Sequence, residues 1–280
     1  MFIDMHLHSN YSDGKDSVPA LVEKLIAAKV GVFSLTDHDS INGIPELLSC
    51  SHGRAKAISG VEFSCKEGKS RCHILAYGFD PSNQHICNLV EKGAELRRKN
   101  FKNRKKHLEE VHGIFFTESE LAWLLSLPEI GKPHIAAILI ERGLASNTNE
   151  AIHRYLDGCK SGSFKLQANE AISGILAAGA IPVWAHPLGG EGEKHLNEEE
   201  FLSLANKLIS YGIKGMECYY SRYTKEEIAF LLQKADDFHL AVSGGSDYHG
   251  ANKTVMLGEL QAGECFTVTP DMLSVLSLIS

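Results

Sequence analysis

The sequence predicts an α/β barrel of seven buried strands with a purely helical stretch in its middle, and three observations carry that expectation. Short apolar runs suited to buried strands alternate with stretches of helical period at both ends of the chain. Between about 84 and 166 the rhythm stops and no convincing strand occurs. The first and last strands each deliver a pair of metal-ligating side chains, His6-Leu7-His8 after the run 1–5 and Asp247-Tyr248-His249 after the run 240–242. Residues two apart on an extended segment point the same way, so each tripeptide aims two ligands off one strand end. Pairs so distant in sequence make sense if the first and last strands of a closed sheet lie side by side.

The elements follow in order. Residues 1–5 form the first strand, and Val18, Leu21, Val22, Leu25 and Ile26 mark one face of a helix that tolerates Pro19 in its first turn. A second strand spans 32–36, followed by a short helix carrying Ile44, Leu47 and Leu48; strands at 57–63 and 73–79 come next. Helices are expected at roughly 84–111, 118–126, 133–143 and 148–157, with Thr117 and Glu120 spaced as a capping box. The alternation then resumes: helix 170–178, strand 181–185, helix 199–210, strand 213–218, helix 225–238 and strand 240–242. Thr224 and Glu227 are a second capping box. Residues 1–83 and 167–280 are thus expected to form the barrel, and 84–166 an inserted helical cap domain over its mouth. No internal repeat or low-complexity segment occurs.

Bulk composition narrows the chemistry. The chain has 280 residues, 44% hydrophobic and 22% charged, ordinary for a globular protein with a large core. A net charge of −7 argues against nucleic-acid binding over the whole surface and leaves room for a local basic patch. The seven cysteines are scattered, odd in number and without a CxxC pair, which suggests neither a disulfide framework nor a thiolate zinc site. That usage fits a reducing cytoplasm. No apolar run approaches a membrane span, and a cleavable signal peptide would carry away His6 and His8.

Five further candidate ligands fall at or near strand ends. Asp13 lies in the loop after the first strand, and His38 in Thr36-Asp37-His38-Asp39 ends the second. Glu62 ends the third, His73 opens the fourth and His186 ends the fifth. In a barrel, strand ends on one face converge toward a common centre. So many ionisable groups brought together are costly unless cations compensate them. A set of imidazoles and carboxylates without thiolate suits zinc, manganese or iron at a catalytic site with open positions. Cys72, beside His73, alternates to the opposite face, and Cys65 is expected to be buried.

The segments HLHSNYSDG, LTDHD, GVEFS, CHILAYGFD, GKPHIA, WAHPLGG and GGSDYHG stand in an order that resembles the PHP (polymerase and histidinol phosphatase) superfamily over essentially the whole chain, specifically its stand-alone phosphoesterases. The resemblance implies a distorted seven-stranded (β/α)7 barrel with an inserted helical cap and two to three divalent metal ions (Mn, Zn or Fe) at its mouth. His6, His8, Glu62 and Asp247 would hold the first ion. Glu62 would bridge to a second, completed by His73 and His186, while Asp13, His38 and His249 would hold a third. His134 competes with His186, but it opens a helix and is expected to contact phosphate instead. The implied activity is hydrolysis of nucleotide phosphate esters (a nucleoside monophosphate or 3′,5′-bisphosphate, or short single-stranded RNA ends) by metal-activated hydroxide. A histidinol-phosphate phosphatase is the nearest alternative, and a non-catalytic metal-stabilised nucleotide-binding module the alternative outside enzymes. Amide or urea hydrolysis ranks low, because Glu62 fills the bridging role that a carbamylated lysine often takes there.

A basic run, Arg97 to Lys106, spreads around a helix, so only a subset such as Arg97, Asn100 and Arg104 can face one site and meet a second phosphate or an RNA backbone. Lys132, at a helix start, is a further candidate anion contact. Trp123 and Trp184 are expected in the core, Tyr248 in the barrel wall, and Tyr220 and Tyr223 beside the substrate or packed at a helix entry. No membrane and no obligate protein partner are expected.

Overall fold

A computed structural model describes residues 2–127, 130–159, 164–191, 193–257 and 268–279. The chain divides into two compact units, 1–91 with 166–280, and 92–165. Among the described residues no helix is long and apolar enough to cross a membrane.

The first unit is built on β1 (Phe2–Leu7), β2 (Val30–Leu35), β3 (Lys56–Glu67), β4 (Ser70–Tyr77), β5 (Leu166–Gln167), β6 (Ile181–Ala185), β7 (Gly215–Tyr220) and β8 (Ala241–Gly245). Its helices are α1 (Val18–Ala27) and α2 (Ile44–Ser51), then, after the second unit, α7 (Ala168–Ala177), α8 (Glu198–Tyr211) and α9 (Lys225–Asp237). The strands run in the order β1-β2-β3-β4-β6-β7-β8, with β5 attached to β3 off this path. β1, β2 and β3 are parallel neighbours, as are β6, β7 and β8. β4 is antiparallel to both β3 and β6. Its reversal follows from a two-residue turn, where Gly68 takes a φ of 56°, a conformation suited to tight hairpins. Reversal puts the start of β4 at the rim where the other strands end.

The sheet nearly closes on itself. Leu7 bridges to Tyr248, the Asp247 N–H donates to His6 O at 2.9 Å, and the His8 N–H donates to Tyr248 O at 2.9 Å. Buried Asp4 reinforces the seam, accepting from the Ser246 N–H at 2.9 Å. Glycine is required at 245, since a Cβ there would lie 2.4 Å from His6 N. The apolar face of α1 packs with Leu7, Phe33, Leu35 and α2 as its periodicity dictates. Trp184 is buried and stacks on Phe201. Cys65 and Cys72 are buried cross-strand partners.

The expected barrel is observed with one addition, β5, whose two residues leave no period to detect. α3 (Gln84–His112) begins in the first unit, where Gly174 of α7 makes room for Leu89. The structural division therefore falls eight residues later than the predicted cap boundary at 84. The second unit continues with α4 (Glu118–Ser126), α5 (Lys132–Glu141) and α6 (Thr148–Ala151), which runs into a π-helical turn over Ile152–Leu156. Phe101, Leu108, Phe116, Leu124, Leu139 and Tyr155 belong to its own core. Both capping boxes form: the Thr117 side chain accepts from the Glu120 N–H and the Glu120 carboxylate accepts from the Thr117 N–H, and Thr224 and Glu227 do the same. Trp123 departs from expectation. It is 41% exposed, because the short α4 turns Leu124 inward and leaves its neighbour outside.

Candidate metal centre

Nine side chains from distant segments meet at one barrel rim. Glu62, 1% exposed, divides its carboxylate between two groups of rings. Oε2 lies 3.1 Å from His6 Nε2, 3.2 Å from His8 Nε2 and 3.1 Å from His38 Nδ1. Oε1 lies 2.8 Å from His73 Nδ1 and 3.1 Å from His186 Nε2. Asp247 Oδ1 faces His6, His8 and His249 at 3.6, 3.3 and 3.4 Å. Asp13 Oδ1 stands 3.1 Å from His249 Nε2, and its Oδ2 lies 3.9 Å from His38 Nε2.

Local structure explains each placement. His6 and His8 leave β1 on one face, and parallel pairing of His38 with Glu62 holds the loop after β2 against β3. The loop carrying Asp13 is pinned by buried Asp37, which accepts from the Ser9 N–H at 2.8 Å and from Ser12 Oγ at 2.5 Å. His186 and Asp247 turn off their strands with φ of 29° and 55°, sparsely populated for side-chain-bearing residues, so the surrounding fold holds both under backbone strain.

The donor set fits divalent cations. His6 Nε2, both ring nitrogens of His8, His38 Nδ1 and Glu62 Oε2 are buried without a hydrogen-bond partner. Buried polar atoms are ordinarily satisfied, and their concentration at one point calls for ions. Among the described residues three groups have ligand atoms within 4.8 Å of one another: His6, His8 and Asp247; His8, Asp13, His38 and His249; and His38, Glu62 and His73. His38 thus stands between the second and third expected positions. Tautomers are set from outside, because an Nδ1–H donated by His6 to Glu217 at 2.9 Å, or by His249 to Asp247 O at 2.8 Å, leaves the Nε2 lone pair facing inward.

Electrostatics agree. Burial alone would raise the carboxylate of Glu62, but His38, His6 and His73 beside it hold it well below the usual range. Asp247 is lowered in the same way against burial, by Lys253, His249 and His6. Burial opposes protonation of His8, yet Asp247 and Glu62 outweigh it and hold the ring at about 9.

A family model described as the PHP domain matches residues 4–171. The chain belongs to the PHP family. A 5′-3′ exoribonuclease from Haemophilus influenzae is 32% identical over 260 residues, 91% of this chain and 93% of the relative. A 3′,5′-nucleoside bisphosphate phosphatase from Chromobacterium violaceum is 26% identical over 253 residues, 88% of this chain and 87% of that protein. Among solved structures, a presumed metal-dependent phosphoesterase from Bifidobacterium adolescentis superposes with a TM-score of 0.82 at 24% identity, covering 99% of this chain and 94% of the other, a likeness of fold. The PHP match ends in α7, so His186, Asp247 and His249 lie beyond it, yet the geometry gathers them with the rest.

The expected substrate contacts lie in the second unit. Asn100 is buried, its amide donating to Phe164 O at 2.6 Å and accepting from the Phe164 N–H at 2.8 Å. His134 Nδ1 accepts from the Gly131 N–H at the start of α5, and Lys132 is paired with Asp157. Arg97 and Arg104 sit half-buried on α3 and are engaged within the protein.

Glu217 and Lys253 beside the centre escaped the sequence reading, and Tyr220, expected beside the substrate or at a helix entry, joins them. Glu217 is fully buried on β7, holding His6 through one oxygen and the His186 N–H through the other at 2.8 Å. Tyr220 Oη donates to Asp247 Oδ2 at 2.9 Å, and Lys253 Nζ reaches the same oxygen at 2.6 Å. Tyr220 is buried and braces Asp247, while Tyr223, at the entry to α9, accepts from the Leu188 N–H. Tyr248 packs in the wall, as expected. Glu217→Gln is expected to lower activity by roughly 10- to 100-fold with weakened metal retention, the usual cost of losing a partner behind a ligand. Titrating activity against added Mn²⁺ checks it, since the deficit should shrink at high metal.

Proposed function

We propose that this PHP protein is a metal-dependent phosphoesterase acting on ribonucleotides that carry phosphate on both sides of the sugar, either as 3′,5′-bisphosphates or as the ends of short RNA. One observation carries the class of reaction: Glu62 presents its two oxygens to two separate sets of rings, the arrangement of a carboxylate shared between neighbouring cations. His6, His8, Asp247 and Glu62 would hold one ion, Glu62, His73 and His186 a second, and Asp13, His38 and His249 a third, with Mn, Zn or Fe suited to such nitrogen and oxygen donors. Bound there, the ions would supply Lewis acidity toward phosphoryl oxygens and a water acidified enough to act near neutral pH.

The chain's own groups do the rest. Glu217 fixes the His6 ring, and Tyr220 and Lys253 fix Asp247, so the constellation is held before substrate arrives. Lys253 also places a positive charge at the centre's edge, where a phosphoryl group gaining negative charge would be stabilised. The substrate class rests on the two curated relatives. Their names describe a nucleoside bisphosphate and RNA, and an RNA nucleotide bearing a 5′-phosphate has phosphates at both positions.

Phosphate release from adenosine 3′,5′-bisphosphate, adenosine monophosphates and histidinol phosphate, with shortening of a 5′-phosphorylated RNA followed on a gel, tests this with Mn²⁺ present. The bisphosphate or the RNA should be turned over fastest. Faster release from histidinol phosphate would reverse the assignment, and no release from any ester at full metal occupancy would favour a binding module.

A further inference from the structure

A cavity of about 770 Å³ opens from His73 and His186 and extends past the β3–β4 turn along α8, within the size range of small-ligand sites. Its charges do not all cancel. Lys207 is tied to Glu67 at 3.1 Å, Lys194 is paired with Glu200, and Glu193 faces the His186 and His73 rings at 3.5 and 3.9 Å. Lys69 and Arg71 line the same cavity with no ion-pair partner among the described residues. Strand register makes the imbalance sharper. Lys66 stands directly across from Arg71 and Ser64 across from His73, so Glu62, Lys66, Arg71 and His73 share one face of the hairpin. Like charges opposite each other are destabilising unless an anion lies between or beside them. Arg71 and His73 are two residues apart, roughly 6.6 Å along the strand, a distance on the order of one nucleotide step.

We infer that Arg71, with Lys69 beside it in the cavity wall, receives the phosphate that is not cleaved and so selects doubly phosphorylated nucleotides over monophosphates. The inference rests on the phosphoesterase reading above. An arginine fork matches phosphate oxygens in pairs, whereas a lysine supplies only a point charge, and this makes Arg71 the specificity-determining member. The contact is made equally in ground and transition states, so its loss is expressed in KM.

Steady-state kinetics of Arg71→Ala and Arg71→Lys on adenosine 3′,5′-bisphosphate, compared with adenosine 3′- and 5′-monophosphate, test it on the metal-loaded enzyme. Arg71→Ala should raise KM for the bisphosphate by roughly 10- to 100-fold, the worth of a charged hydrogen-bond pair, with kcat nearly unchanged. The lysine variant should recover part of the loss, and the monophosphates should respond less than about threefold on the same scale. An equal loss on all substrates, or none, overturns the inference. Calorimetric binding of a phosphorothioate analogue of the bisphosphate separates the two readings. If wild type hydrolyses no nucleotide yet binds the analogue through Arg71, the phosphoesterase reading falls and the subsite stands. If hydrolysis is intact while neither KM nor binding responds to Arg71, the subsite alone falls.

Discussion

Glu62→Ala is expected to abolish phosphate release and strip metal from the chain together. Among the described residues Glu62 is the one carboxylate in contact with five of the rings, from β1, the loop after β2, β4 and the end of β6. Without it those imidazoles lose the negative charge that lets cations sit among them, and two ion positions lose their common ligand. Several kcal/mol of charge stabilisation would go with the ions, on the order of a thousandfold or more in rate. Elemental analysis of the purified variant should show at least one ion fewer per chain than wild type. Glu62→Gln keeps the shape and removes the charge, so it should resemble the alanine variant in activity. Wild-type turnover with a full metal complement in either variant would dismiss the shared-ligand role.

The rim was legible in the sequence for a simple reason. His6 and His8, or Asp247 and His249, are spaced by two directly after apolar runs, and strand geometry converts that spacing into a shared direction. Closure of β1 against β8 follows from the same pairs, and the structure adds its means: glycine at 245 and buried Asp4. His73 was placed at a strand start, and what brings it to the rim is the reversal of β4. Chain direction leaves no trace in hydrophobic period. The expected strands at 57–63 and 73–79 left nine residues between them, whereas the observed strands reach Glu67 and resume at Ser70, and the two-residue Gly68-Lys69 link that remains makes them a hairpin.

The supporting residues were harder to find. Glu217 sat inside a stretch expected to be a buried strand, and an acid in such a run is itself a warning that something must satisfy it. Lys253 has no neighbouring pattern at all; only the fold brings it to Asp247. The use of Asn100 to hold the Phe164 backbone was hidden as well, because helical spacing reports which residues share a face, not which of them the chain will use on itself. His134 shows the same limit, since a helix start offers free N–H groups both to anions and to the helix's own third residue. The geometry of Arg71 was equally hidden, as its relation to His73 needs the β4 register.

Chelation should inactivate the enzyme and lower its thermal stability, and the size of that drop should depend on pH with a definite sign. Metal ligation needs neutral rings, whereas Asp247 and Glu62 hold metal-free His8 protonated up to about 9. Binding must therefore expel that proton, and apparent affinity should climb about tenfold per pH unit per proton displaced, levelling above 9. The metal-free chain moves the other way. A histidine raised from 6.5 to about 9 adds stability that is fully present below 6.5 and fades as pH rises toward 9. Both trends widen the gap between loaded and stripped protein from pH 6.5 to pH 8.5. At about 100-fold over Kd the ions would add ~2.7 kcal/mol. For a domain of this size that is a melting shift of roughly 5–10 °C. Scanning fluorimetry with EDTA or Mn²⁺ at the two pH values measures it directly. A shift that shrinks as pH rises would mean that protons and cations do not compete at this centre, and the carboxylates around His8 would then have some task other than holding metal.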